Sequence, residues 1–262
     1  MTDMTEVPGP LPQTALVTGA AKRIGRAIAL DLAKAGFAVA VHHKDSEREA
    51  RDLVAEIEAS GGRAAALSAD FMKEADTAPL MARAFSELGP IGVLVNNASR
   101  FEVDEFATAT RESWDINLET NLRAPFVLSQ AFAAQLPEHA SGVIINLLDQ
   151  RVWNLTPYFT SYTVSKAGLW ALTRTMALAL APRIRVNAIG PGPVLPSARQ
   201  TQEQFESQCR AMPLQRGATL EEICATVRFI VAADSLTGQM IALDGGQHLG
   251  WAQSARGLVA EE

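Results

Sequence analysis

A single doubly wound α/β domain with a parallel sheet is the fold class that this sequence predicts, and three observations carry the prediction. Short apolar runs alternate with longer amphipathic segments along the whole of the 262 residues. That is the pattern of buried parallel strands joined by right-handed helical crossovers that cover both faces. The first apolar run passes directly into a glycine-bearing turn and then a helix, Thr18-Gly19-Ala20-Ala21-Lys22-Arg23-Ile24-Gly25-Arg26. No linker, repeat, low-complexity tract or block of charge breaks the alternation, so a chain long enough for two small domains reads as one large one.

Taken in order, residues 1–12 carry Asp3, Glu6, Pro8, Pro10 and Pro12 with neither a basic nor an apolar block. They read as a disordered leader rather than a signal peptide, and residues 13–262 as the folded domain. Strands are expected at 14–17, 37–41, 64–67, 93–95, 143–148, 185–188 and 240–243, each a short apolar run. Helices are expected between them, at 24–35, 46–60, 74–88, 111–135, 162–181 and 220–232. The segment 195–213 follows Pro191-Gly192-Pro193-Val194 and is the expected substrate lid. In such a fold the ligand lies at the carboxyl ends of the strands.

Composition bounds the partners. The formal net charge is −6 and charged residues are 20% of the chain, against a usual ~25%. An acidic chain argues against a nucleic-acid or anionic-membrane partner, so any anion it binds needs a local site. The low charge, with 48% hydrophobic residues, points to surface buried in an oligomer. Two cysteines, Cys209 and Cys224, fit neither a disulfide framework nor a zinc cluster, so a cytoplasmic protein without a metal site is expected. No apolar run is long enough to span a bilayer.

The first turn suits a phosphate. Gly19 and Gly25 let it approach the backbone, and the following helix adds free N–H donors and the positive end of its dipole. An ordinary tight turn is the plainer alternative. The second strand ends in Val41-His42-His43-Lys44-Asp45-Ser46, with Lys22 and Arg23 on the neighbouring turn. No carboxylate sits directly at the strand end, where a ribose hydroxyl would need one, and the cations suit a 2′-phosphate, so NADP(H) is the expected cofactor. Asp70 is placed to accept from an adenine amino group or to cap the next helix. After the fourth strand comes Asn96-Asn97-Ala98-Ser99-Arg100-Phe101, whose polar residues either shape a turn or line the ligand crevice.

Tyr162 and Lys166 are four apart on a predicted helix and share one face. An ammonium beside the phenol is expected to favour the phenolate and lower the tyrosine pKa from about 10, which makes Tyr162 a candidate proton donor. Asp149 stands thirteen residues ahead of Tyr162.

Together the Thr18-Gly19 turn, Asn96-Asn97-Ala98, Asn121, Tyr162-x-x-x-Lys166, Pro191-Gly192 and Asp244-Gly245-Gly246 resemble the short-chain dehydrogenase/reductase family, in its order and spacing over nearly the whole chain. The resemblance implies a seven-stranded Rossmann fold, a nicotinamide cofactor and a relay of Asn121, Lys166 and Tyr162 that delivers a proton as hydride is transferred. It implies cofactor contacts from Gly19, Lys22, Arg23, Ile24, Gly25, His42, His43, Lys44, Ser46, Asp70, Asn97, Ala98, Tyr162, Lys166, Pro191 and Gly192. In the family the residue matching Asn121 bends its helix and holds a water beside the lysine. It also implies a homotetramer; the tail after Gly246, apolar for a free terminus with His248 and Trp251, is expected to be buried in it, with Trp251 approaching a neighbouring subunit's pocket.

Four departures from the general pattern point one way. Arg23 stands in place of a middle glycine, Ser99 in place of another glycine and Asp149 in place of a catalytic serine, while Phe101 adds an aromatic ring. This set resembles the pteridine reductase branch, including bacterial dihydromonapterin reductases. There the matching residues contact the pterin, and the aromatic stacks it against the nicotinamide. The chemistry is coherent: Phe101 offers a face to a flat bicycle, and Arg23, Ser99, Asp149 and Tyr162 can read its polar edge. Reduction of a C=N bond needs a proton at nitrogen, which Asp149 and Tyr162 can supply through water. The expected substrate is therefore a pterin of dihydropterin or dihydrofolate type. Two alternatives stay open, a carbonyl or imine reductase of another small substrate and a non-enzymatic dinucleotide-sensing protein.

Overall fold

The computed structural model describes residues 9–197 and 199–250. Seven strands form one sheet, β1 Thr14–Val17, β2 Ala38–His43, β3 Ala64–Ser68, β4 Val93–Asn96, β5 Gly142–Leu147, β6 Ile184–Pro191 and β7 Met240–Leu243. All pairings are parallel, in the order β3-β2-β1-β4-β5-β6-β7. This is the predicted doubly wound Rossmann sheet. The chain runs outward from β1 in one direction and from β4 in the other. Their carboxyl ends therefore part into a crevice at the point where the winding reverses.

Two layers of helix cover the sheet because each strand alternates its side chains between the faces. On one face α1 (Arg23–Lys34), α2 (Glu47–Ala59) and α9 (Leu220–Ala232) pack Ile28, Leu32, Leu53, Ile57, Val227 and Ile230 against Val17, Val39, Val95 and Ile145. On the other, α4 (Leu80–Leu88), α6 (Ala124–Gln135) and α7 (Thr160–Leu180) pack Leu80, Met81, Leu128, Phe132 and Met176 against Leu16, Leu94, Ile144 and Val186. Every residue of β1, β2, β4 and β5 is buried. That is why these strands read as unbroken apolar runs rather than alternating ones.

The structure departs from the expected elements at several points, among them β6, which runs three residues past its expected end to Pro191. β2 continues through His42 and His43, which pair in register with Leu67 and Ser68 of β3. The expected helix 74–88 breaks at Pro79 into α3 (Glu74–Thr77) and α4, since proline cannot donate to the turn before it. The expected helix 111–135 is three pieces, α5 (Arg111–Leu118), a five-residue π turn Glu119–Arg123 and α6. Inside the expected lid, α8 (Gln202–Arg210) is capped reciprocally by Thr201 and Gln204 and buries none of its residues.

The leader reading is corrected for residues 9–12. Leu11 packs on the core, and Ser141 N donates to Pro10 O at 3.3 Å. Pro12 O occupies the space that a Cβ on Gly92 would fill, 2.1 Å from that position. Residues 1–8 lie outside the described residues, and so does Trp251 with the pocket contact expected of it. The described tail ends in a short turn, Gln247–Leu249. Among the described residues no helix is long and apolar enough to cross a membrane, and no cluster of His, Cys, Asp or Glu is placed to hold a metal ion.

Candidate active site

At the winding reversal the glycine turn is built by close packing rather than by flexibility. Gly19 has φ +61°, and a Cβ there would lie 3.0 Å from Ala98 Cα. A Cβ on Gly25 would lie 2.3 Å from Gly19 O and 2.5 Å from Asn97 Nδ2. The end of β4 is tied to this turn. Asn97 N and Ala98 N each donate to Thr18 Oγ1 at 2.9 Å, and Asn97 Nδ2 donates to Thr18 O at 2.8 Å and to Gly19 O at 3.2 Å.

His42 completes the tie from β2. Its Nδ1 accepts from Gly19 N at 3.0 Å, which places the proton on Nε2, donated to Ala69 O at 3.1 Å. Its ring stacks on Phe71 with centroids 4.3 Å apart. Burial pulls its pKa down to about 4, so at neutral pH it carries no charge. His42 therefore lines the cleft as a neutral pin of the glycine turn, which corrects its expected part in a basic strand end.

The cleft holds about 530 Å³ and is lined by the turn residues Gly19, Lys22, Arg23, Ile24 and Gly25, by His42, His43, Lys44 and Ser46 after β2, and by Asp70, Asn97, Ala98 and Ser99. Two helix N-termini bound it with no side chain capping either: α1 begins after Lys22 and α2 after Ser46. Uncapped N–H groups beside glycines are what phosphates require, so the residues present fit a dinucleotide. The cations are not bare. Lys22 pairs with Glu49 at 2.8 Å and Lys44 with Asp70 at 3.2 Å, while Asp70 also accepts from Met72 N at 3.1 Å. Arg23, in the left-handed region at φ +55°, reaches across the cleft mouth and donates to Pro196 O at 3.0 Å and Leu195 O at 3.4 Å. Pro191 and Gly192 lie outside this lining. Pro191 ends β6 and Gly192 follows it, and a Cβ on Gly192 would lie 2.8 Å from Asp244 Cα.

Beyond the cleft, the start of α7 gathers the candidate acids. Tyr162 Oη donates to Asp149 Oδ2 at 3.1 Å, and Asp149 Oδ1 accepts from Arg151 N at 2.8 Å. Lys166 Nζ donates to Leu147 O at 2.8 Å and stands 5.8 Å from the Tyr162 ring centroid. The expected lowering of the Tyr162 pKa is overturned. Burial first, and then the Asp149 charge, raise it well above 10. The same burial lowers Lys166 to about 8, with Asp149 opposing. At Tyr162, loss of water and the Asp149 carboxylate together outweigh the one opposing charge, that of Arg151.

Asn121 lies in the π turn and is fully buried. Its amide is spent on the neighbouring loop and on α7: Oδ1 accepts from Arg100 N at 2.8 Å and from Ser99 Oγ at 3.1 Å, and Nδ2 donates to Arg100 O at 2.9 Å and to Ser165 Oγ at 3.0 Å. It fastens the Ser99 loop to α7 and has no direct bond to Lys166. The Phe101 ring stands edge-on to Tyr162 at 4.6 Å and stacks on Phe159 at 4.3 Å.

Four neighbours were not singled out from sequence. Phe159 is left-handed at φ 59° where it opens α7. Arg151 lies 4.9 Å above the Phe159 ring and Arg199 5.7 Å above that of Phe101. Asp104, 2% exposed, accepts from Ser161 N at 3.0 Å, Ser161 Oγ at 2.5 Å and Ser113 Oγ at 2.9 Å. None of these carries a sequence signal of its own; each is recognised by where the fold brings it.

Comparison with known proteins identifies the family and bears out the fold. A model of the short chain dehydrogenase family matches residues 13–207. The chain is 34% identical over 242 residues to a 3-oxoacyl-[acyl-carrier-protein] reductase of Staphylococcus epidermidis, covering 90% of this chain and 99% of the relative. Among solved structures, the FolM alternative dihydrofolate reductase 1 of Brucella canis, complexed with NADP, is 48% identical with a TM-score of 0.90, over 94% of this chain and 98% of that one. The corresponding protein of Brucella suis, also in complex with NADP, is 48% identical with a TM-score of 0.89, over 94% and 97%.

Proposed function

This chain belongs to the short chain dehydrogenase family, and from that premise we propose that it is an NADPH-dependent oxidoreductase that reduces a pterin of dihydropterin or dihydrofolate type. The observation that carries the reading is the Tyr162–Asp149 hydrogen bond at 3.1 Å beside the edge of Phe101. An acid pair next to an aromatic face suits a flat heterocycle whose ring nitrogen must gain a proton. The NADP-bound Brucella relatives support the cofactor, and so does the cleft, with its uncapped helix ends and the cations Lys22, Arg23 and Lys44.

NADPH, when bound, supplies the hydride. The glycine turn and the start of α1 would hold its diphosphate, and Lys22, Lys44 and Ser46 its 2′-phosphate. Lys166, held by Leu147 O, would take the ribose side. Phe101 would stack the pterin while Arg23 and Ser99 bind its edge. Tyr162 is protonated at neutral pH and donates to Asp149. The proton that reaches the ring nitrogen would therefore be that of Tyr162, passed by way of the Asp149 carboxylate, and the phenolate left behind would regain one from water.

A second reading, reduction of a 3-oxoacyl or other small carbonyl compound, is favoured by the name of the Staphylococcus relative. The experiment that separates the two follows NADPH oxidation with dihydrobiopterin, dihydromonapterin and dihydrofolate beside a 3-oxoacyl thioester and simple ketones. Turnover of a pterin well above the carbonyl compounds is expected. Turnover of the carbonyl compounds alone would retract the pterin pocket and leave the family and Tyr162 in place.

A further inference from the structure

Two guanidinium groups stand at the aromatic end of the site, and neither has a role in proton delivery. Arg151 lies 4.9 Å from the Phe159 ring centroid and 6.0 Å from that of Phe101. Its Nη1 donates to Thr156 Oγ1 at 3.2 Å, whereas its Nε is buried without a hydrogen-bond partner. Arg199, on the lid, lies 5.7 Å from the same Phe101 ring and donates to Phe101 O at 2.8 Å. The carboxylate it meets is that of Glu102, at 3.9 Å, which Arg100 holds more closely at 3.2 Å.

These facts set an electrostatic problem. Arg151 is part-buried among aromatic rings, and its buried Nε–H without an acceptor costs free energy in the folded protein, whereas Arg199 is about half exposed and free to turn toward a ligand. An incoming carboxylate would satisfy the guanidinium by forked, charge-assisted bonds that an ammonium cannot match. Two such groups around one ring, in a chain whose net charge is −6, form a local positive mouth that the overall charge does not explain.

We propose that Arg151 and Arg199 form a subsite for an anionic substituent of the substrate, so that the preferred pterin carries carboxylates on its tail, as dihydrofolate does, rather than a neutral polyhydroxylated chain. The inference rests on the pterin reading above and specifies it further. With the bicycle on Phe101 and its reactive edge toward Tyr162 and Asp149, the tail leaves the site past the two arginines.

The test is the specificity of the full-length protein, saturated with NADPH, for three pterins whose tails differ in charge. Dihydrobiopterin carries no tail carboxylate, dihydropteroate one and dihydrofolate two. The expected order of kcat/KM is dihydrofolate, then dihydropteroate, then dihydrobiopterin. The ratio of the first to the last should fall about 10-fold in Arg199→Gln and again in Arg151→Gln, the loss expected for one charge-assisted contact each. It should also fall as salt is raised. Arg199 sits on an exposed lid, so its variant serves if Arg151→Gln does not fold. Equal kcat/KM for the three pterins, or a preference that survives both substitutions, would remove the anion subsite and leave pterin reduction standing. No turnover of any of them would overturn both readings.

Discussion

At Tyr162 burial and the Asp149 carboxylate act in the same direction, and the charge of Arg151 opposes them without prevailing. The phenol is 7% exposed and points at a carboxylate, so its ionisation is opposed by lost solvation and by like charge. The protonated form that a donor needs is thus the one present at neutral pH, but the raised pKa makes the phenol a weaker acid, so the ring nitrogen it protonates must become strongly basic as hydride arrives. Tyr162→Phe removes the Oη and little else. Turnover should drop about 10²-fold or more while KM for NADPH stays near wild type, as steady-state kinetics would show; unchanged turnover would remove Tyr162 from the mechanism. Lys166 makes a thermodynamic prediction. Its folded pKa of about 8 lies below the ordinary 10.5. Between those values the unfolded chain therefore holds a proton that the folded chain has released, and stability rises with pH across that window. Compared with Lys166→Met, which cannot titrate there, the wild type should gain stability as urea midpoints are measured from pH 8 toward 10.5. A parallel pair of profiles would mean that Lys166 is not desolvated. The lysine that was expected to ease ionisation of Tyr162 is itself penalised by the same burial.

At the scale of elements, the start of α7 decides whether those side chains meet. Phe159 opens the helix in a left-handed conformation, Thr160 N donates to Asp104 O at 3.2 Å, and the Asp104 carboxylate takes the bonds of Ser161. Burial opposes its charge, yet the hydrogen bonds from Ser161 and Ser113 prevail and hold its pKa below the ordinary range. Asp104→Ala strips a cap and strands buried donors, so it should cost about 2 kcal/mol or more by urea unfolding. Turnover should fall with it, because Tyr162 follows the cap directly. Local sequence hides this device, since its parts come from residues 104, 113 and 161. What local sequence shows well is the alternation itself: all seven strands form where apolar runs were read, because buried parallel strands need unbroken apolar runs. The break at residues 119–123 was anticipated only through the resemblance at Asn121; locally, Pro125 at the start of α6 cannot donate to the carbonyl of Asn121 four residues back, and the Asn121 side chain then bonds to Arg100 and Ser165. The lid helix was readable and missed: Thr201-x-x-Gln204 is a capping box, and the structure forms it.

At the scale of the molecule, the crevice was legible because topology dictates it, whereas the outer faces were legible only in composition. A mostly apolar groove of about 480 Å³ lies on the face shared by α5, α6 and α7, where Leu118, Leu122, Phe126, Gly168, Ala171 and Leu172 line it together with Glu119, Arg123 and Thr175. Gly168 brings the two sides close, since a Cβ on it would lie 2.9 Å from Leu122 Cδ2. Leu178, further along α7, is 85% exposed. A face of this kind gains by meeting its own copy, because a two-fold axis sets the same apolar stripe on both sides. The expected assembly is a homotetramer of the 28.1 kDa chain, seen by sedimentation equilibrium, with this face as one of its interfaces. Ala171 is exposed in the protomer, so Ala171→Glu has no core contact to lose there and should change protomer stability by no more than about 0.5 kcal/mol. In the assembly it would bury an unpaired carboxylate near the axis, and the variant should sediment as a smaller species. A wild-type monomer would overturn the expected assembly, and a variant that still assembles as the wild type does would move the interface to another face. Because Tyr162 and Lys166 lie on the first turns of the same α7, loss of this interface should also lower activity if the assembly steadies that helix.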